Sequence, residues 1–220
     1  MSRNQLRTPM FVDHSDTGVV IAGLRRYNLF TAVFFLGRQR SLLAEFVSTA
    51  GASEADRVLD IGCGPGKLVR ALGAAVGPSG TVVGLDPSDI AVADNRRRDP
   101  APNHRYEHGV AQQLPFGDAE FDVITCTFVM HHVPEEHRSA AVADMWRVLR
   151  PGGRLLLADA APSPLLRRTL GRVFGSGDPF AAVDIRRYTD ELRAMGFVDP
   201  EYRRSRYQTG ILTVAKPASA

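Results

Sequence analysis

Three groups of residues in this sequence have the types and spacing to do chemistry. The first is Asp60, two residues ahead of the run Gly62, Cys63, Gly64, Pro65 and Gly66. Glycines permit a tight turn and let the backbone approach a ligand closely. A helix beginning just after such a turn offers unpaired N–H groups. The spacing is Gly-x-Gly-x-Gly, not the Gly-x-Gly-x-x-Gly of a dinucleotide site, and no Gly-Lys-Ser/Thr follows as in a phosphate-binding loop. A carboxylate at the entrance suits a ligand with an amino group better than one with phosphates. The second group is Asp86-Pro87, which ends an apolar run where a polar side chain gains nothing from burial; Asp before Pro is also a good turn former. The third is His131-His132, whose imidazoles titrate near neutrality and are candidate general bases.

The elements that must position these residues are legible as apolar runs between breakers. Residues 57–61 read as a buried strand, and a helix follows the glycine turn to about residue 76, where Gly77-Pro78-Ser79-Gly80 stops it. A second strand spans 81–85, and Ser88 starts a helix running to the triple Arg96-Arg97-Arg98. A third strand fits 105–108, residues 109–116 read as a loop, and a fourth strand spans 121–127 with 128–134 as its exit. Residues 135–149 form an amphipathic helix. Arg150-Pro151-Gly152-Gly153 breaks it ahead of a fifth strand at 154–159. Thr189 caps a further helix ended by Gly196, and strands at 197–207 and 211–215 make a terminal hairpin with 208–210 as the turn. Alternating strands and helices predict a parallel sheet wrapped on both faces, with one terminal strand antiparallel.

In an open parallel sheet a ligand lies outside the carboxyl ends of the strands. Asp60 and Gly62 fall after the first strand, Asp86 after the second, Ala111 after the third, and Thr127 and Phe128 after the fourth. Their convergence on one edge makes that edge the expected site.

The segment Asp60-Ile-Gly-Cys-Gly-Pro-Gly66 resembles motif I of the class I S-adenosylmethionine-dependent methyltransferases. Four more landmarks of that family follow in order, so the likeness covers roughly residues 55–160. It implies a Rossmann-like, doubly wound α/β fold with a mostly parallel seven-stranded sheet, and S-adenosylmethionine as cofactor. It gives Asp86 the role of accepting both ribose hydroxyls, two acceptor oxygens for two adjacent donors. Leu114-Pro115-Phe116 resembles the family's loop after the third strand, but Val110 stands where the family usually has Asp. Adenine recognition then rests on backbone groups and packing near Ala111, with help from Gln112. Carbonyls near Cys126 and Thr127 would face the methionine amino group. The Leu149-Arg-Pro-Gly-Gly-Arg-Leu-Leu-Leu run is similar to the small-molecule branch, which includes ubiquinone/menaquinone C-methyltransferases. The implied cofactor-binding residues are Asp60, Gly62, Cys63, Gly64, Gly66, Asp86, Pro87, Ala111, Gln112, Thr127 and Phe128. His131 and His132 are the catalytic candidates.

Composition narrows the alternatives. The chain has 220 residues, 44% hydrophobic and 23% charged, ordinary for one elaborated domain. No apolar run reaches the ~20 residues of a membrane span, and residues 1–5 lack the apolar core of a signal peptide; a cytoplasmic location follows as the expectation. Cys63 and Cys126 read as small buried hydrophobes and lack zinc spacing, so no metal is expected. Net charge is +3, with arginines scattered in pairs and triples rather than on one stripe, so no stable nucleic-acid partner is expected. RNA or protein methylation is the runner-up, although the fourth strand ends in Thr127-Phe128-Val129-Met130 and not in an Asn/Asp-Pro-Pro-Tyr/Phe motif. A non-catalytic cofactor binder is the third reading, and a homodimer stays open.

The organisation expected is an N-terminal helical lid at 1–50 and a methyltransferase domain at 51–220 with a cap insertion at about 160–188. Residues 1–18 read as a loop or arm, Asn28 caps a short helix that Gly37 ends, and a second helix runs from 38 to 50. Residues 29–36 hold too many apolar groups to leave in water. By analogy with similar methyltransferases they would line an acceptor pocket, with Tyr27, Phe30 and Phe34 as substrate contacts for a small, largely apolar molecule. The competing reading is a membrane-surface anchor beside Arg25, Arg26, Arg38 and Arg40.

Overall fold

The computed structural model describes residues 9–14, 17–35, 37–163 and 183–219. The chain opens with a hairpin of β1 (Phe11–His14) and β2 (Gly18–Ile21), then α1 (Leu24–Phe34) and α2 (Gln39–Ala50). The core alternates β3 (Arg57–Ile61), α3 (Lys67–Val76), β4 (Thr81–Asp86), α4 (Asp89–Arg98), β5 (His104–His108), β6 (Phe121–Thr127), α5 (Arg138–Val148) and β7 (Leu149–Ala160). It closes with α6 (Thr189–Met195), β8 (Val198–Ser205) and β9 (Thr209–Ala215).

Among the described residues seven strands form one sheet in the order β5-β4-β3-β6-β7-β9-β8. β3, β4, β5, β6 and β7 run parallel, and β9 is antiparallel to both β7 and β8. Successive side chains in a strand point to opposite faces, and Val58 and Leu59 accordingly enter two different core clusters. One face is covered by Leu42 and Phe46 of α2 and by Leu68, Val69, Leu72 and Val76 of α3. The other is covered by Ala141, Val142 and Met145 of α5 and Leu192 of α6. β3 and β4 are apolar on both faces because both faces are dry.

Several sequence expectations need correction. Within the loop or arm expected over 1–18, Phe11–His14 is a strand: β-branched Val19, Val20 and Ile21 pair with it. Asn28 is not a cap. It sits inside α1, which begins four residues earlier at Leu24. Thr189 is the first helical residue of α6 in continuous αR geometry; the capping oxygen belongs to Asp184, which accepts from the Arg186 N–H ahead of a 3-10 turn at Ile185–Tyr188. Residues 135–137 are a 3-10 turn rather than the start of α5. The helix does end ahead of Arg150-Pro151-Gly152-Gly153, but that stretch lies inside β7, which starts at Leu149 and not at 154, and bulges out of it: Phe121 pairs with Leu149, while Val123 already pairs with Arg154. The hairpin turn lies at 206–208, before Thr209 and Gly210. The apolar piece at 165–174 of the expected cap insertion lies outside the described residues.

Candidate active site

β3 delivers the first carboxylate. Asp60 sits between Gly84 and Thr125 of the flanking strands. It is 2% exposed, and its Oδ1 accepts from the Thr125 hydroxyl at 2.8 Å. Burial raises its pKa to about 7; the Thr125 bond opposes this and the nearby Asp86 charge adds to it. A buried carboxylate with one hydroxyl partner is an incomplete site, and a bound cation would complete it.

The glycine turn is held from both sides. The Gly62 and Cys63 N–H groups donate to the Leu85 carbonyl at 2.7 and 3.0 Å. The Gly64 N–H donates to Asp86 Oδ2 at 2.7 Å, and the Gly64 carbonyl accepts from buried Asn95 at 2.7 Å. Gly62 has φ +70°, and a Cβ there would lie 2.1 Å from Val129, so this position requires glycine. The other oxygen of Asp86 accepts from the Ser88 N–H at 2.8 Å. Burial pushes the Asp86 pKa up, against the Ser88 and Gly64 N–H groups and the His108 charge that pull it down. Asp86 is thus a turn former and a cavity-facing carboxylate at once. Each carboxylate oxygen can accept twice, which leaves capacity for a ligand.

Two cavities meet at this edge. The smaller, about 70 Å³, lies over the ends of β4 and β5 and is lined by Asp86, Pro87, Val110, Ala111, Gln112 and the hairpin residues Val19, Val20 and Ile21. The larger, about 420 Å³, lies over β3 and β6, within the ~300–1,000 Å³ range of small-molecule sites. Asp60, Cys63, Gly64 and His131 meet a wall of Phe35, Leu42, Leu43 and Phe46 there. Phe11, Tyr27, Gly62, Thr127, Phe128 and His132 belong to both. Phe128 holds a left-handed φ of +59°, costly for a bulky residue. It is fixed by its N–H to the Ala158 carbonyl at 2.7 Å and by packing near Phe35 and Phe46. Strain of this kind persists where the surroundings over-determine it, often at ligand sites.

The two histidines differ. His131 Nδ1 lies 2.6 Å from Asp159 Oδ2, a carboxylate at the end of β7 that is 1% exposed. The His132 ring stacks 3.9 Å from His131 and 5.5 Å from Phe11. Burial, then the His131 charge, lowers the His132 pKa to about 4, so that ring stays neutral at ordinary pH.

The N-terminal segment is tied to this edge. The Ser88 hydroxyl donates to the Ile21 carbonyl at 2.6 Å, and the Val19 N–H donates to the His132 carbonyl at 3.3 Å. A Cβ on Gly18 would lie 1.9 Å from that same carbonyl oxygen. Tyr27 sits edge-on to Phe11, its pKa raised to about 12 by burial and then by Asp86.

The structure therefore brings together Asp60, Gly62, Cys63, Gly64, Asp86, Pro87, Ala111, Gln112, Thr127, Phe128, His131, His132 and Tyr27. Gly66 lines neither cavity; it is buried behind the turn, starting α3 against Asn95 and Tyr106. The side chains of Phe30 and Phe34 lie outside the described residues. Sequence reasoning missed Phe11, Leu42, Phe46 and Asp159 as lining residues. Asp159 carried the same signal as Asp86, an acid ending an apolar strand; Leu42 and Phe46 read as ordinary core.

Two buried carboxylates, a glycine turn and an adjoining slot are the chemistry that a ligand carrying an ammonium, vicinal hydroxyls and a flat base would need, and S-adenosylmethionine is such a ligand. A family model described as a methyltransferase domain matches residues 58–153. The chain is 34% identical over 174 residues to the ubiquinone/menaquinone biosynthesis C-methyltransferase of Ectopseudomonas mendocina, covering 76% of this chain and 67% of that one. It is 30% identical over 140 residues to the demethylmenaquinone methyltransferase of Halalkalibacterium halodurans, covering 62% and 56%. The chain thus spans about two thirds of the first relative and little more than half of the second. Among solved structures, a SAM-dependent methyltransferase from Aquifex aeolicus superposes with a TM-score of 0.66 at 19% identity over 79% of this chain and 88% of that one, a likeness of fold.

Proposed function

The chain belongs to the class I S-adenosylmethionine-dependent methyltransferases, and on that premise we propose that it methylates a small, largely apolar acceptor. The observation that carries this reading is the larger cavity. It joins the Asp60 turn to a wall of Phe11, Phe35, Leu42, Leu43, Phe46 and Phe128. Bound there, S-adenosylmethionine supplies an electrophilic methyl group. The protein's part is to hold the acceptor in line with it and to exclude water, which can account for much of the rate. The quinone-directed names of the relatives agree with an apolar ring as acceptor.

In this reading residues 1–50 are the cover. The hairpin closes the smaller slot, α1 and α2 wall the larger cavity, and Tyr27 reaches both. Ala160 and Val183, which flank the undescribed part of the insertion, line the larger cavity and support an acceptor-side role for it. A cytoplasmic site of action fits the two free, buried cysteines, and no described helix is long and apolar enough to cross a membrane.

Methyl-labelled cofactor incubated with protein and a crude metabolite extract tests the reading. Label is expected in the organic-solvent fraction. Label in RNA or protein instead would overturn it.

A further inference from the structure

His131 lies in the exit loop of β6, and Asp159 lies near the end of β7, the parallel strand beside it. Thr127 pairs with Ala158, so the exit loop of β6 and the last turn of β7 lie side by side. The Nδ1 to Oδ2 distance is 2.6 Å, short for an N–H to oxygen bond and typical of one to a charged acceptor. The second oxygen of Asp159 accepts from the Ala160 N–H at 2.7 Å. Among the described residues its ion-pair partner is His131 alone. A carboxylate 1% exposed needs a reason to stay charged and dry, and the imidazole N–H supplies it.

That bond fixes the tautomer: the ring proton sits on Nδ1, which leaves a lone pair on Nε2. The His131 side chain is 22% exposed and borders the larger cavity with Asp159, Thr127 and Phe128. Among the described residues, Tyr27, Asp60, Cys63, Lys67 and His132 are the other titratable groups around that cavity, and none of them combines a lone pair with a buried anion behind it. Among the described residues His132 has no carboxylate partner, and its ring lies between those of His131 and Phe11.

We propose that His131 is the general base toward the acceptor, with Asp159 as its positioning residue, and that the acceptor is therefore methylated through an ionisable hydroxyl, as an enol or phenol. The inference rests on the methyltransferase reading and deepens it. In the step, the acceptor hydroxyl gives its proton to His131 Nε2, and the electron pair released makes the oxygen, or the ring carbon conjugated to it, the nucleophile. The new bond forms to the methyl carbon as its bond to sulfur breaks, the electron pair staying on sulfur to give the neutral thioether. For attack through carbon, a second proton leaves that carbon to restore the ring. The imidazolium is stabilised by the Asp159 carboxylate and returns its proton to water. A neutral amine would attack with its own lone pair and would not require this pair.

The test combines a spectrum with an acceptor series. In ¹⁵N-labelled protein, the His131 ring, assigned by its loss in His131→Gln, is expected to be protonated on Nδ1 at neutral pH. Asp159→Asn, which can donate to Nδ1, is expected to move the proton to Nε2. With a panel of phenols of graded acidity and labelled cofactor, His131→Gln is expected to lower kcat by about 10²–10⁴-fold, the range for a general base. Binding of the demethylated cofactor should stay within threefold, and the loss should shrink as the phenol becomes more acidic. A wild-type ring protonated on Nε2, a His131→Gln kcat within threefold of wild type, or an equal loss across the panel would each overturn the proposal while leaving the methyltransferase reading intact. Wild-type protein that methylates amines but none of the phenols would also overturn it; wild-type protein that methylates no small acceptor would overturn that reading and this inference with it.

Discussion

The glycine turn and the apolar wall sit on the same sheet edge and are built in opposite ways. The turn spans seven consecutive residues, and its ligand-facing groups are fixed by short hydrogen bonds: Gly62 and Cys63 to Leu85, Gly64 to Asp86 and Asn95, Asp60 to Thr125. The wall gathers Phe11, Phe35, Leu42, Phe46 and Phe128 from four separate stretches and holds them by packing. A backbone cradle with two carboxylates accepts one ligand geometry. A packed apolar wall accepts whatever fits its shape. One half of the site is therefore expected to respond steeply to single polar changes, and the other to volume.

The largest effect is expected at Asp60. Asp60→Asn keeps the acceptor oxygen for Thr125 and removes the charge. Leaving a bound ammonium without its buried partner costs about 2–5 kcal/mol, so calorimetry should show cofactor affinity falling at least about thirtyfold. The same residue gives a pH signature. Its folded pKa, raised to about 7, lies above the unfolded carboxylate value. The folded protein then holds a proton that the unfolded chain has lost, so ligand-free stability falls as pH rises from about 4 to about 7. Cofactor binding needs the ionised form, so affinity should rise through pH 7. Denaturation and binding measured across pH 5–8 should show these opposite slopes, and Asp60→Asn should flatten both. Parallel slopes would mean that Asp60 does not face the ligand's charge.

Asp86→Ala comes next, with about 1.5–3 kcal/mol lost from cofactor binding, the range for hydrogen bonds to a charged group. The carboxylate also accepts from Gly64 and Ser88, so the turn itself should loosen. Asp86→Glu is expected to be milder. A folded Asp86→Ala protein binding cofactor as wild type would reduce Asp86 to a turn residue.

The same contrast explains what the sequence made legible. The β3 turn, the ends of β4 and β6 and the start of α4 at Ser88 were readable because each is a local signal: an apolar run, a breaker, a cap. The sheet followed from their alternation. Asp159 was readable by the same rule but seemed to be a strand end, since its partner lies 28 residues away. Leu42 and Phe46 could not be told from core, because a residue that lines a cavity and one that fills it share the same helical spacing. The hairpin at 11–21 was hidden because its four-residue strands are short and its pairing is settled by where it docks.

The smallest effect, and the sharpest test of that docking, is at Ser88. Its hydroxyl does two jobs: it accepts from the Ala91 N–H at 3.3 Å as the cap of α4, and it donates to the Ile21 carbonyl at 2.6 Å. Ser88→Gly separates them, because glycine at a cap costs only a few tenths of a kcal/mol while the tether disappears. One hydrogen bond contributes about 0.5–1.5 kcal/mol net. Amides of β2 should therefore lose roughly two- to tenfold in exchange protection, with the global unfolding midpoint nearly unchanged. The hairpin borders the smaller slot through Val19, Val20 and Ile21, so release of the demethylated cofactor should quicken by a similar factor. Acceptor KM should move less, since among the described residues the hairpin gives the larger cavity's wall Phe11 alone, while α2 gives it Leu42, Leu43 and Phe46. Faster cofactor release with unchanged acceptor KM would divide the cover into a cofactor latch and an acceptor wall. A rise in acceptor KM with unchanged cofactor release would make the hairpin an acceptor-side element, acting through Phe11, and not a latch.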